Sequence, residues 1–299
     1  MQLHSLVLMG SLLLFANTAL ASQCHQQLTV EELKSLKTND FTIEEDKKRN
    51  NLAITLLNCL SHPDPKIRDE IVYQAYSTWL RNMALDADTI NTLLLKLQTI
   101  LASKSKDPNG FEQPFAALVL SEVVRVDRIT PYMSEQERQT VVDVSTRFMS
   151  NISDYRGFNQ QEGWRHNVAH TADIFLQLAL NKQVTKAQHQ QLLTAIKQQI
   201  APINAFYTFG EPRRLAMPVV YIILQNKLSA NEFANWLTSV TSPAPFKTWQ
   251  NVYQSEEGLA KLHNTRSFIH NLYAITSNSK NPKLKAIQAS LQQALKRVD

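Results

Sequence analysis

The densest run of reactive side chains is Gly163-Trp164-Arg165-His166-Asn167-Val168-Ala169-His170-Thr171-Ala172-Asp173. Read as a helix at about 100° per residue, it places Trp164, Val168, Ala172, Phe175 and Ala179 on one face. His166, His170, Asp173 and Gln177 then share the opposite face. Two imidazoles four residues apart, with a carboxylate one turn on, can offer three ligands to a divalent metal. The same groups can supply a general base with an orienting acid. The zinc-protease pattern H-E-x-x-H is not met, because Asn167 follows His166. A site for a polar ligand or partner, a bound metal and a structural hydrogen-bond network all stay open for this cluster. No motif calls for any other cofactor.

Two neighbouring segments bear on the same cluster. Asp154-Tyr155-Arg156-Gly157-Phe158 lies just upstream, and Phe209-Gly210-Glu211-Pro212-Arg213-Arg214 opens a helix about one repeat later. If equivalent helices of successive repeats pack side by side, Glu211 and Arg214 come near His166 and His170. Ordinary capping is the other use of Glu211, which suits a helix start with Pro212 in the first turn. Arg68-Asp69, after Pro63-Asp64-Pro65, reads as a structural turn that ties neighbouring repeats. Tyr207, Tyr221, Trp236 and Trp249 read as packing aromatics. A Gly-rich phosphate loop, a G-x-S-x-G elbow and a cysteine-histidine nucleophile arrangement are all missing.

The elements that must position these residues are helices. Apolar residues return at steps of three and four from Thr29 onward, as in Leu52, Leu56, Leu57 and Leu60, or Val119, Val123 and Val126. Capping-box pairs open these runs at Thr29 with Glu32, Ser134 with Glu137, Thr185 with Gln188 and Ser229 with Glu232. The expected caps Asp86, Ser134, Thr185, Ser229 and Asn281 lie 48, 51, 44 and 52 residues apart. Gly110, Gly163, Gly210 and Gly258 follow a similar spacing of 53, 47 and 48. Both are close to the roughly 40 to 47 residues of HEAT and armadillo units. The pattern predicts an all-α fold of about twelve helices, an α-solenoid of stacked antiparallel helix pairs in which a first helix follows each glycine. A closed α/α toroid of helical hairpins is the alternative.

Composition agrees. The 299 residues hold 43% hydrophobic residues and six glycines, enough apolar mass for a large core and too few turn residues for a β-rich fold. Leu6 to Phe15 is an apolar run about half as long as a bilayer span, followed by a small-x-small pattern ending at Ala21. This predicts a cleaved signal peptide over 1–21 and one helical-repeat domain over 22–299. Export predicts a periplasmic or secreted location, with no membrane span after cleavage. In an oxidising compartment the only two cysteines, Cys24 and Cys59, read as a disulfide. Closing that loop stabilises the fold by roughly 3 kcal/mol. The net charge of +5 is spread thinly and lacks basic clusters interleaved with aromatics, which excludes a nucleic-acid surface.

The sequence resembles an uncharacterised bacterial family, domain of unknown function 2785. The resemblance rests on Arg68-Asp69, Tyr155-Arg156-Gly157-Phe158, Gly163-Trp164 with His166, Ala169-His170 and Ala172-Asp173, and Glu211 with Arg214-Leu215-Ala216. It covers roughly Leu52 to Val240. It implies a helical, repeat-like fold and brings no activity with it. The chain departs from the family pattern at Gln113-Pro114-Phe115-Ala116, where an Arg-Ser-Phe-Ser type segment is expected, and in its exported N-terminus. The expectation is therefore a binding or scaffold module of the cell envelope, for a protein, peptide or small polar ligand. Its polar focus would be Arg156, Trp164, His166, His170, Asp173, Glu211 and Arg214. The alternative is a hydrolase using His166, His170 and Asp173.

Overall fold

A computed structural model describes Cys24 and residues 28–104 and 107–298. The expected signal peptide over 1–21 lies outside the described residues. The fold is all-α apart from one two-stranded sheet. The helices in chain order are α1 (Val30–Thr38), α2 (Asp46–Thr55), α3 (Pro65–Ile67), α4 (Tyr73–Arg81), α5 (Ala87–Ala102), α6 (Glu112–Ile129) and α7 (Glu135–Ser150). They continue as α8 (Asn167–Leu180), α9 (Lys186–Gln199), α10 (Glu211–Leu224), α11 (Ala230–Val240), α12 (Glu256–Ser277), α13 (Pro282–Lys285) and α14 (Gln288–Val298). One π-turn, Arg68–Val72, joins α3 to α4 without a break. The strands β1 (Phe158–Asn159) and β2 (Gly163–Trp164) pair antiparallel between α7 and α8.

The local start signals act as expected. Thr29, Ser134, Thr185 and Ser229 each form a complete capping box, in which the cap side chain and the third helical residue satisfy each other's backbone N–H. Asp86 and Asn281 cap α5 and α13 by accepting from Thr89 N and Lys283 N. Gly110, Gly163 and Gly210 hold φ of +73°, +73° and +89°, a left-handed backbone in the segments ahead of α6, α8 and α10. Gly258 differs. It lies inside the first turn of α12, and it is glycine because a Cβ would fall 2.1 Å from the Val252 carbonyl oxygen.

Packing follows from which faces are apolar. Helices α4, α6, α8, α10 and α12 pack each on the next, while α5, α7 and α9 do the same beside them. Helix α6 meets α4, α5 and α8, so it is buried on nearly every side from Pro114 to Val124, a stretch apolar except for Ser121 and Glu122 rather than a single apolar stripe. Buried side chains from Leu33 to Val298 make one continuous apolar cluster. Turns are tied by buried polar groups. The Asp127 carboxylate, fully buried, accepts from Met133 N (2.8 Å), Arg138 Nε (3.0 Å) and Asn181 Nδ2 (2.8 Å), fixing the ends of α6 and α8 to the start of α7. Cys24 and Cys59 form the expected disulfide. Among the described residues no helix is long and apolar enough to cross a membrane.

Candidate functional site

The site begins at the hairpin between α7 and α8. Asn159 Oδ1 accepts from Gln161 N (3.0 Å) and Glu162 N (2.7 Å), which closes the turn. Gly163 then passes so near the α3 end that a Cβ would lie 2.6 Å from Pro65 Cβ and 2.8 Å from Asp69 Oδ2. The anchor beneath it is Arg68, fully buried, whose guanidinium carbon lies 3.8 Å from the Phe111 ring centre. It donates to His62 O (2.7 Å) and Glu162 O (2.6 Å), and its Nε stands 2.8 Å from Asp69 Oδ1. Burial raises the Asp69 pKa, with the Arg68 charge opposing. Asp69 Oδ2 in turn accepts from Trp164 N at 3.3 Å. Arg68 and Asp69, read from sequence as a tie between adjacent repeats, thus secure a hairpin more than ninety residues away.

The histidine segment is not helical throughout. Trp164 belongs to β2, and His166 is the α8 N-cap in a left-handed conformation (φ +61°), so the helix starts at Asn167. Val168, Ala172, Phe175 and Ala179 are buried as the helical reading expects. Trp164 leaves that stripe: its indole is 37% exposed and stacks on the His166 ring, centroids 4.8 Å apart. Phe209 meets both rings edge-on and lies directly over Gly157, where a Cβ would fall 2.0 Å from the ring.

Behind this aromatic cover the titratable groups sit in low-polarity surroundings. His166 Nε2 is buried without a hydrogen-bond partner, 3.7 Å from Glu211 Oε1. Burial, and next the Arg214 charge, push its pKa down to about 4. Glu211 is buried, accepts from Phe209 N at 2.9 Å, and has its pKa raised by burial. His170 donates from Nδ1 to Pro114 O at 3.1 Å, and burial holds it well below the ordinary histidine range. Asp173 is ion-paired with Arg214, yet burial outweighs that charge and lifts its pKa to about 6.

Of the sequence-selected residues, the structure therefore brings Trp164, His166, His170 and Glu211 together, with Asp173 and Arg214 as a pair further along α8 and α10. Arg156 is not among them. Its guanidinium binds Asp154 at 2.6 Å over the Gly110 turn, and only its backbone carbonyl reaches His166 N. Nor do His166, His170 and Asp173 make a metal centre. Among the described residues no group of three or more His, Cys, Asp or Glu is placed to hold an ion.

The space beside this cluster is an open cleft of about 620 Å³. One wall comes from the C-terminal end of α1 (Lys37, Asp40, Phe41) and another from the π-turn and α4 (Asp69, Glu70, Tyr73, Gln74). Phe115 and Leu118 of α6, Trp164 and His170 complete it. Only Trp164 and His170 were selected from sequence as site residues. Two signals point to the others: Asp69 and Tyr73 are four apart, and Phe115 and Leu118 three apart, each pair on one helical face. Lys37 to Phe41 give no such signal, because they reach the cleft through tertiary packing of α1 on the π-turn. Segments with a π-turn recur at functional sites, and this one forms part of the wall. The segment Gln113–Ala116, which departs from the family pattern, supplies both the Pro114 carbonyl and the Phe115 ring against His170.

No curated protein and no solved structure matches the chain. A family model described as Protein of unknown function (DUF2785) matches residues 97–274. That stretch starts later than the resemblance read from sequence and runs further, from the end of α5 through most of α12. It contains Trp164, His166, His170, Asp173, Glu211 and Arg214, and leaves Arg68 and Asp69 outside. Because the match spans more than half of the sequence and includes the hairpin and the histidine helix, this chain belongs to the DUF2785 family.

Proposed function

We propose that this protein is an exported binding module of the cell envelope, periplasmic or secreted, which holds a polar ligand or a peptide in the cleft beside Trp164 and His170. The observation that carries the reading is the cleft itself. An exposed indole, a buried histidine and three carboxylates from four separate segments converge on one open space of about 620 Å³. Such a space, apolar in its walls with a few convergent polar groups, is the usual form of a ligand site.

Three further readings belong with this one. The fold is an α-solenoid of antiparallel helix pairs, supported by the alternating packing of α4, α6, α8, α10 and α12 against α5, α7 and α9. The mature chain, 22–299, is one domain, supported by its continuous apolar cluster. Export after loss of 1–21 draws support from the disulfide, which persists in oxidising compartments. The hydrolase alternative has weaker support: His166 and Glu211 stand beyond hydrogen-bond reach of one another, and the Asp173 carboxylate is taken by Arg214.

A thermal-shift screen of the mature chain against short peptides and mono- and disaccharides tests the binding reading. A ligand of the cleft raises the unfolding temperature of the wild type and not that of Trp164→Ala. Mass spectrometry of the same mixtures detects cleavage, and turnover abolished by His166→Asn would replace the binding reading with the hydrolase one. Hits that stabilise the variant equally would place binding elsewhere and overturn the proposal.

A further inference from the structure

The cleft has a definite polarity, and it comes from the tautomer of one histidine. His170 is only 6% exposed, and its Nδ1 lies 3.1 Å from the Pro114 carbonyl oxygen. A carbonyl only accepts, so in the neutral ring the proton is on Nδ1 and the lone pair on Nε2. Nε2 has no hydrogen-bond partner among the described residues, and the ring lines the cleft. An occupant that displaces solvent from this acceptor must bring a donor in its place.

The charges around it ask for the same thing. Asp40, Asp69 and Glu70 face the cleft against a single ammonium, Lys37, which is itself paired with Glu70 at 2.6 Å. Arg68 offsets Asp69 from behind, yet it lies fully buried and outside the lining. That leaves Asp40 as a carboxylate without a cationic partner among the described residues, at the mouth beside Phe41. The Trp164 face, partly exposed, adds a surface that attracts cations.

We propose that the cleft is a receptor for an organic cation carrying N–H donors, an alkylammonium or guanidinium group, which donates to His170 Nε2 and sits between Trp164 and the carboxylates of Asp40 and Asp69. The proposal rests on the reading of the cleft as the binding site and specifies its ligand class. A carboxylate ligand would meet an acceptor at His170 and like charge at Asp40. A quaternary ammonium would satisfy the aromatic face and the charge, and leave Nε2 unpaired.

Calorimetric titration of the mature chain with agmatine, n-butylamine, tetramethylammonium and butyrate tests this, with Trp fluorescence as a second readout. Agmatine and n-butylamine are expected to bind saturably, tetramethylammonium at least about tenfold more weakly, and butyrate not at all. His170→Phe is expected to weaken agmatine binding by more than about tenfold. Asp40→Asn, whose asparagine suits the left-handed backbone at position 40 (φ +50°), is expected to weaken it several-fold with unchanged thermal unfolding. Absence of saturable binding by both amines, or equal binding in Asp40→Asn and His170→Phe, overturns the proposal. Butyrate or a neutral sugar bound with sensitivity to Trp164→Ala overturns the cation class while the cleft remains the binding site. Amine binding that is insensitive to Trp164→Ala, His170→Phe and Asp40→Asn overturns both.

Discussion

His166 and Asp173 lie two turns apart along α8 and respond to pH in opposite senses, although burial perturbs both. The folded state holds His166 at about 4, below its ordinary 6.5, so His166 contributes stability above pH 6.5 that is lost as pH falls toward 4. It holds Asp173 at about 6, above its ordinary 3.8, so that contribution is present below pH 3.8 and is lost as pH rises through 6. Single substitutions separate the two. Relative to wild type, His166→Asn is expected to gain stability as pH drops from 6.5 to 4, and Asp173→Asn as pH rises from 4 to 6.5. Each gain is on the order of 3 kcal/mol across that window. Asparagine keeps the left-handed cap at position 166. Urea unfolding at half-unit pH steps reads both curves, and parallel profiles for a variant and the wild type would show that the side chain is not buried as described.

At the scale of elements, the hairpin is the part that its glycines test most directly. Gly163 and Gly210 share a left-handed backbone, but a Cβ at Gly163 meets Pro65 and Asp69, while one at Gly210 meets nothing within 4 Å. Gly210→Ala is therefore expected to cost about 1 kcal/mol, the conformational part alone. Gly163→Ala adds overpacking and is expected to cost about 2 to 4 kcal/mol in denaturant titrations. Equal costs would mean that the hairpin does not seat on the α3 end. The same elements mark what is legible in sequence. Caps at Thr29, Asp86, Ser134, Thr185, Ser229 and Asn281 were readable because a cap is a contact over three residues. Trp164 and His166 were read into the helix because their spacing continues its period, whereas the left-handed turn at His166 depends on tertiary packing. Gly258 matched the repeat spacing for another reason, its closeness to Val252. The cleft is not legible in the sequence because its walls come from α1, the π-turn, α4, α6, β2 and α8, and periodicity reports one helix at a time.

For the molecule as a whole, the disulfide matters most at the N-terminal end. It closes a loop of 35 residues that contains α1, the helix whose end lines the cleft. Reduction, or Cys59→Ala, is expected to lower the unfolding free energy by about 3 to 4 kcal/mol, read as a lower urea midpoint with and without reductant. An unchanged midpoint would show that α1 is held by packing alone. The hydrogen bond from Arg68 to the Glu162 carbonyl has a consequence of another kind, in the order of events along a growing chain. Helices α1 to α7 precede the hairpin, so they can condense while it is still being made. Until Glu162 arrives, Arg68 keeps a guanidinium without one of its two close carbonyl acceptors, and a cation in an apolar setting is costly without such partners. Closure over so long a loop is expected late in folding, because its entropy cost grows with loop length. The Trp164 wall of the cleft is thereby complete only in chains in which the first third and the middle have found each other.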